Sequence, residues 1–192
     1  MLQEACGQLV RWRERFPRTE LRLSVNTSGE ELRDPRFVAA TRDTLAAAGI
    51  DPHRVQLEVT ESVFLRQPEQ AGEVLEALRA MGLRIALDDF GTGYSSLGYL
   101  DRYPMDTIKV DRSFVTRMSG QPRSVAIVRT VVALGQAMAL DIVAEGIEDE
   151  HQLRALRDLG CGSLQGYLLG RPMPEAKMTL ALERQRQIAV VT

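Results

Sequence analysis

The sequence predicts an α/β fold of parallel β-α units, an incomplete TIM-type barrel with about six of eight strands. Three observations predict it. Short apolar runs recur at 21–26, 55–60, 84–89, 107–111, 141–145 and 163–167. Segments with helical period lie between most of these runs. Polar residues then collect at the C-terminal ends of the runs, the ends that carry the site in parallel α/β folds.

The elements follow in order. MLQEACGQLVRWRERF reads as an amphipathic helix with Trp12 and Phe16 on its packing face. Ser28 with Glu31 three residues later makes a capping box, and the helix over 34–48 stops at Gly49. A second helix over 68–81 stops at Gly82, and a third, over 124–139, is apolar enough to lie on a sheet. The fourth, over 149–159, has Asp149 at its N-cap and Gly160 after its end. Arg171-Pro172-Met173-Pro174 reads as a rigid strand exit. Residues 1–182 are expected to form one domain, and 183–192 a C-terminal helix end or tail.

Composition bounds the function. A net charge of -2 supplies no basic field for a nucleic-acid duplex. The two cysteines, Cys6 and Cys161, are far apart and lack C-x-x-C spacing, which fits a reducing compartment and argues against a zinc site. No apolar run approaches the roughly 20 residues of a membrane span, and the N-terminal helix is no signal peptide. The expected location is cytoplasmic.

The polar residues form the candidate site. Asn26 ends the first run, Glu58 and Glu61 the second, and Asp88 and Asp89 the third; Lys109 and Asp111 sit in the fourth, Glu145 and Glu148 end the fifth, and Gln165 lies in the sixth. Adjacent Asp88 and Asp89 repel unless a positive charge offsets them. Asp, Glu and Asn oxygens suit Mg²⁺ or Mn²⁺, and a doubled Asp can serve two metals in phosphoester hydrolysis. Lys109 then orients a nucleophilic water or meets phosphate charge, and the loop from Gly91 through Thr92 and Gly93 to Ser96 orders when the site fills.

Each element has a plainer alternative. Asp88-Asp89 could cap a turn, and Lys109 could be the solvated residue of an edge strand. Glu58, Glu61, Glu145 and Glu148 could precede helices; Asn26 could begin a turn, and Gln165 could be a satisfied core amide. His53 and His151 read as solvent-exposed, and Cys161 as a small buried residue. The plain alternatives together require independent coincidences at five strand ends.

LSVNTS, LEVTES, LDDFGTGYSSL, IKVDRSF, VAEGIE and QGYLLGRPMP, in this order, resemble the EAL domain, the bacterial phosphodiesterase module that hydrolyses cyclic di-GMP. The resemblance runs from Glu4 to about Leu182 and implies a modified TIM barrel. It implies metal ligation by Asn26, Glu58, Asp88 and Asp89, with Glu145 near the metals and catalytic roles for Lys109, Glu145 and Asp89. Glu148 and Gln165 would support the site, and Glu61 would hold the 88–96 loop, which in the family contributes to dimerisation. The implied ligand is cyclic di-GMP, the product linear pGpG, and the assembly a homodimer.

The sequence departs from the family at one point. The glutamate of the naming Glu-Ala-Leu motif belongs on a strand upstream of the opening helix, whereas Glu76-Ala77-Leu78 lies within the helical VLEALRAMG. The expectation is therefore an N-terminally truncated EAL domain that lacks one metal-ligating glutamate and about two strands, with impaired phosphodiesterase activity. The alternative is a catalytically inactive cyclic di-GMP receptor or protein-interaction module. A metal-dependent enolase-like barrel, with Lys109 as base, is a third reading.

Overall fold

A computed structural model describes residues 2–17, 19–65, 67–91 and 97–189. Helix α1 (Leu2–Arg15) is followed by β1 (Leu23–Asn26), the short α2 (Gly29–Arg33), α3 (Phe37–Ala48) and β2 (Val55–Thr60). After a 3₁₀ turn at Glu61–Leu65 come α4 (Pro68–Ala80), β3 (Arg84–Phe90), α5 (Leu97–Arg102), β4 (Thr107–Val110), α6 (Arg112–Met118) and α7 (Pro122–Ala137). Then β5 (Asp141–Ala144), α8 (Glu150–Asp158), β6 (Ser163–Leu164) and α9 (Glu175–Ala189) complete the order. All six strands are parallel neighbours in the order β1-β2-β3-β4-β5-β6, and with their helices they make a half-barrel.

The strands show why the apolar runs form a sheet. Successive side chains point to opposite faces, and along β2 Val55, Leu57 and Val59 are buried while Gln56, Glu58 and Thr60 are half-buried. The buried set continues laterally through Val25, Ile85, Leu87, Ile108, Val110, Ile142 and Ala144, in one core with Leu75 and Leu78 of α4, Val128 and Val132 of α7 and Leu156 of α8. Burial on this scale contributes about 25 cal/mol per Å² of apolar surface, the dominant stabilising effect in a domain this size. Polar residues occupy the opposite face: Ser24, Gln56, Glu58, Arg84, Asp88, Thr107, Lys109 and Asp141 alternate with the buried set. TIM barrels usually fill this space with branched apolar side chains.

Local signals set most boundaries. Ser28 and Glu31 do form a capping box, with both reciprocal bonds present, but it opens α2. Asp34 ends α2 in an extended conformation, so the expected helix over 34–48 begins only at Phe37. Gly49 closes α3 at φ 62°, a left-handed conformation that glycine adopts without a Cβ clash. Asp149 caps α8 and forms a second capping box with Gln152. The last two strands are shorter than their apolar runs, and α9 starts at Glu175 and lies along α1: the Trp12 indole N–H donates to Thr179 Oγ1 at 2.9 Å, and Arg15 pairs with Glu183. Among the described residues no helix is long and apolar enough to cross a membrane.

Candidate active site

Lys109 lies at the centre of the polar face. It sits on β4, between β3 and β5, so the edge-strand alternative does not hold. Its Nζ donates to Glu58 Oε2 on β2 at 2.6 Å, lies 3.0 Å from Asp88 Oδ1 on β3 and is 2.8 Å from Glu145 Oε1 at the exit of β5. The side chains are 6%, 11%, 15% and 19% exposed in the order Lys109, Glu58, Asp88, Glu145. At that burial the attraction is only weakly screened, and each charge depends on the others.

The strands position these groups through register and one irregularity. Asn26 pairs with Glu58 in register, which sets its exposed amide on the rim beside the cluster. The β3–β4 register shifts between Leu87 and Phe90, where both aspartates fall. Asp89 adopts φ 54°, a conformation tolerated by Asp more than by most residues, and its N–H donates to Asp88 Oδ1 at 3.0 Å. Asp88 therefore faces Lys109 while Asp89 stands exposed at the mouth. Glu61 is buried, and its Oε1 accepts the Gly91 N–H at 3.1 Å, tying the strand exit to the turn after β2. Thr92 and Gly93 lie outside the described residues.

Glu145, Glu148 and Gln165 line a cleft of about 800 Å³ beside the cluster, together with Trp12, Arg112 and Tyr167. Gln165 is exposed, so it is not a core amide; its backbone N–H donates to Ala144 and its carbonyl accepts from Ile147. Gly166 permits this approach, since a Cβ there would stand 2.2 Å from the Ile147 nitrogen and oxygen.

Electrostatics follow from the crowding. Burial alone would push the Lys109 ammonium down, but its bonds to Glu145, Glu58 and Asp88 outweigh it and hold its pKa above the ordinary lysine value. Burial pushes the Glu145 carboxyl up, against the opposing pull of Lys109. The Asp89 carboxyl is raised by partial loss of hydration at the crowded rim and by repulsion from Asp88 and Asp111, with Lys109 and Arg112 opposing. The donor set consists of oxygens alone, which fits a hard divalent cation in kind. Among the described residues no three acidic, His or Cys side chains form a ready-made cation cage; the three carboxylates share the Lys109 ammonium.

The sequence reading missed a lower tier of the same face, formed by Ser24, Gln56, Arg84, Thr107 and Asp141. Its signal was the period of two: these residues lie two or four positions before the rim residues on their strands.

A model of the EAL domain family matches residues 1–172. The bifunctional diguanylate cyclase/cyclic di-GMP phosphodiesterase MucR of Pseudomonas aeruginosa is 43% identical over 178 residues, which cover 93% of this chain and 26% of MucR. The solved PaMucR phosphodiesterase in complex with c-di-GMP superposes with a TM-score of 0.86, covering 92% of this chain and 71% of that one. The EAL domain of Mycobacterium smegmatis DcpA superposes with a TM-score of 0.90 at 38% identity, over 95% and 82% of the two chains. Klebsiella pneumoniae BlrP1 in a manganese and cyclic di-GMP complex gives 0.80 at 34% identity, over 91% and 45%. The chain spans between 21% and 30% of the length of the curated relatives it matches. With a parallel half-barrel, an acidic rim around one lysine and a family match over 172 residues, this chain belongs to the EAL domain family.

Proposed function

We propose that the chain is a cyclic di-GMP phosphodiesterase domain that opens cyclic di-GMP to linear pGpG with two divalent cations, Mg²⁺ or Mn²⁺. The observation that carries this reading is one buried ammonium held by carboxylates on β2, on β3 and at the exit of β5, at a barrel mouth. Asn26, Glu58, Asp88 and Asp89 are the groups that would hold the cations, with Glu145 beside them. When bound, the cations supply charge neutralisation at the phosphodiester and acidify a nucleophilic water. Lys109 stays protonated at neutral pH and so acts as a donor that orients water or phosphate oxygen. Glu145 and Asp89 complete the catalytic rim, Glu148 and Gln165 support it from the cleft, and Glu61 anchors the Gly91, Thr92 and Gly93 loop.

Similarity to MucR and BlrP1, whose structures hold cyclic di-GMP and, in BlrP1, manganese, supports the choice of ligand and cation. The reading extends to a cytoplasmic domain spanning 1–182 that works as a homodimer, tested by light scattering. Two buried, unbridged cysteines accord with that compartment.

The test is incubation of the chain with cyclic di-GMP and Mn²⁺ or Mg²⁺, following pGpG by chromatography and binding by calorimetry. Metal-dependent pGpG supports the proposal. Binding without turnover assigns a receptor instead, and absence of both overturns the reading.

A further inference from the structure

The lower tier of the concave face forms one hydrogen-bonded chain that no step of the proposed reaction uses. Gln56 Nε2 on β2 donates to Ser24 Oγ on β1 at 3.4 Å. Thr107 Oγ1 on β4 donates to Gln56 Oε1 at 2.9 Å and accepts from Arg84 Nη2 on β3 at 3.4 Å. The same Arg84 Nη2 donates to Asp141 Oδ2 on β5. Five strands are thereby joined side chain to side chain, beneath the rim that carries Asn26, Glu58, Asp88, Lys109 and Glu145.

Two of these links skip a strand. Gln56 reaches across β3 to Thr107, and Arg84 across β4 to Asp141. Neighbouring strands stand about 4.8 Å apart, so each link spans roughly 9 to 10 Å of sheet. The rim repeats the first of these crossings one layer higher, since Lys109 reaches Glu58 across β3. Ala86, in register with both Glu58 and Thr107, contributes only a methyl group where these crossings pass. A change in splay between β2 and β5 would therefore lengthen the lower links and the Lys109 contacts together. One guanidinium nitrogen, Arg84 Nη2, makes both bonds with the strength of a charged donor, whereas an apolar side chain would leave only the backbone ladder to set the splay of these strands.

We propose that Arg84 is a positioning residue for Lys109: through Thr107 and Asp141 it fixes the separation of β2, β3, β4 and β5 at which the ammonium reaches three carboxylates at once. The proposal draws on the phosphodiesterase reading only for the use made of that placement. The placement itself is measured without substrate or metal.

The chain has two lysines, Lys109 and Lys177, and Lys177 is exposed on α9. In a chain labelled with ¹³C,¹⁵N-lysine, NMR of the side-chain ammonium groups gives one buried reporter and one solvent reference. Arg84→Met keeps the aliphatic stem and removes the guanidinium; Thr107→Val removes only the hydroxyl that joins Arg84 to Gln56. In both variants the Lys109 signal should move about halfway toward that of Lys177, with ammonium proton exchange roughly tenfold faster, because its charge-assisted bonds lengthen. Lys177 should not move. An unchanged Lys109 signal in a folded variant, with native circular dichroism and a cooperative unfolding transition, would overturn the proposal and leave Arg84 a structural ion pair. If Arg84→Met does not fold, Thr107→Val decides by the same readout. In a chain that turns over cyclic di-GMP, both variants should lower kcat more than they raise KM, whereas equal kcat and KM would also overturn it.

Discussion

The two faces of one sheet divide the work of this molecule. Toward the helices, Val55, Leu57, Ile85, Leu87 and Ile108 are at most 1% exposed and join a single apolar core. Toward the barrel interior, the residues between them are Gln56, Glu58, Arg84, Asp88, Thr107 and Lys109, and they meet through directed bonds across the strands. Apolar packing on the first face is non-directional and tolerates small shifts at modest cost. Charged contacts on the second face depend on tenths of an ångström and on every partner being present. The difference shows how a six-stranded sheet can carry a concave polar face: its stability comes from the convex side.

Four substitutions test this division, in descending order of consequence. Lys109→Met leaves three largely buried carboxylates around an apolar side chain, so the chain should lose about 3–5 kcal/mol in urea unfolding. On the proposed phosphodiesterase reading, turnover of cyclic di-GMP should fall by roughly two orders of magnitude or more. A loss under about 1 kcal/mol would mean that the interior cluster is not a coupled unit. Leu57→Ala, on the same strand but the other face, should cost about 2–4 kcal/mol through its cavity. It should leave cyclic di-GMP affinity per folded molecule unchanged by calorimetry, and an affinity loss would show that the faces are not separable.

Gly166→Ala should cost less than either. Its Cβ would press on the Ile147 backbone, costing about 1–3 kcal/mol and displacing Gln165 from its place beside Glu145. Weaker nucleotide binding than in Leu57→Ala is the expected outcome in the same calorimetric assay. Asp89→Asn should have the smallest effect and the opposite sign. The folded state raises the Asp89 pKa, so it binds that proton more tightly than the unfolded chain does. The contribution of this group is then greatest below the ordinary carboxylate range and falls as pH rises through the folded value. Asparagine removes that fall and tolerates φ 54°. Because Asp89 is exposed and its charge is screened by solvent, thermal unfolding at neutral pH should shift up by only about 1 °C, with no gain near about pH 3, below the ordinary Asp pKa.

Much of the fold was legible because its signals are local. The apolar run at Val55–Thr60 coincides with β2, and Gly49, Gly82 and Gly160 follow the ends of α3, α4 and α8. Glu76-Ala77-Leu78 lies within α4, as its helical neighbours implied. The short α2, α5 and α6 were not legible, since five to seven residues show too little periodicity and depend on packing. The rim acids were visible as polar residues where apolar runs end. Arg84 and Thr107 were not, because each opens its strand, a place where a polar residue needs no special explanation until its partners are known.

Local sequence signals settled the order of β-α units, the stops of the longer helices and the residues at the strand ends. Those properties follow from period, capping and backbone conformation, which act over a few neighbouring residues. That Lys109 is interior, that Glu58, Asp88 and Glu145 are its partners and that Arg84 reaches Asp141 emerged from the folded arrangement of the strands. Glu58 and Lys109 are 51 residues apart and Arg84 and Asp141 are 57 apart. Contacts at that range exist only once parallel strands have fixed their register, which the backbone ladder and the hydrophobic packing of the opposite face establish, and on the proposal above Arg84 then sets the fine separation of the strands.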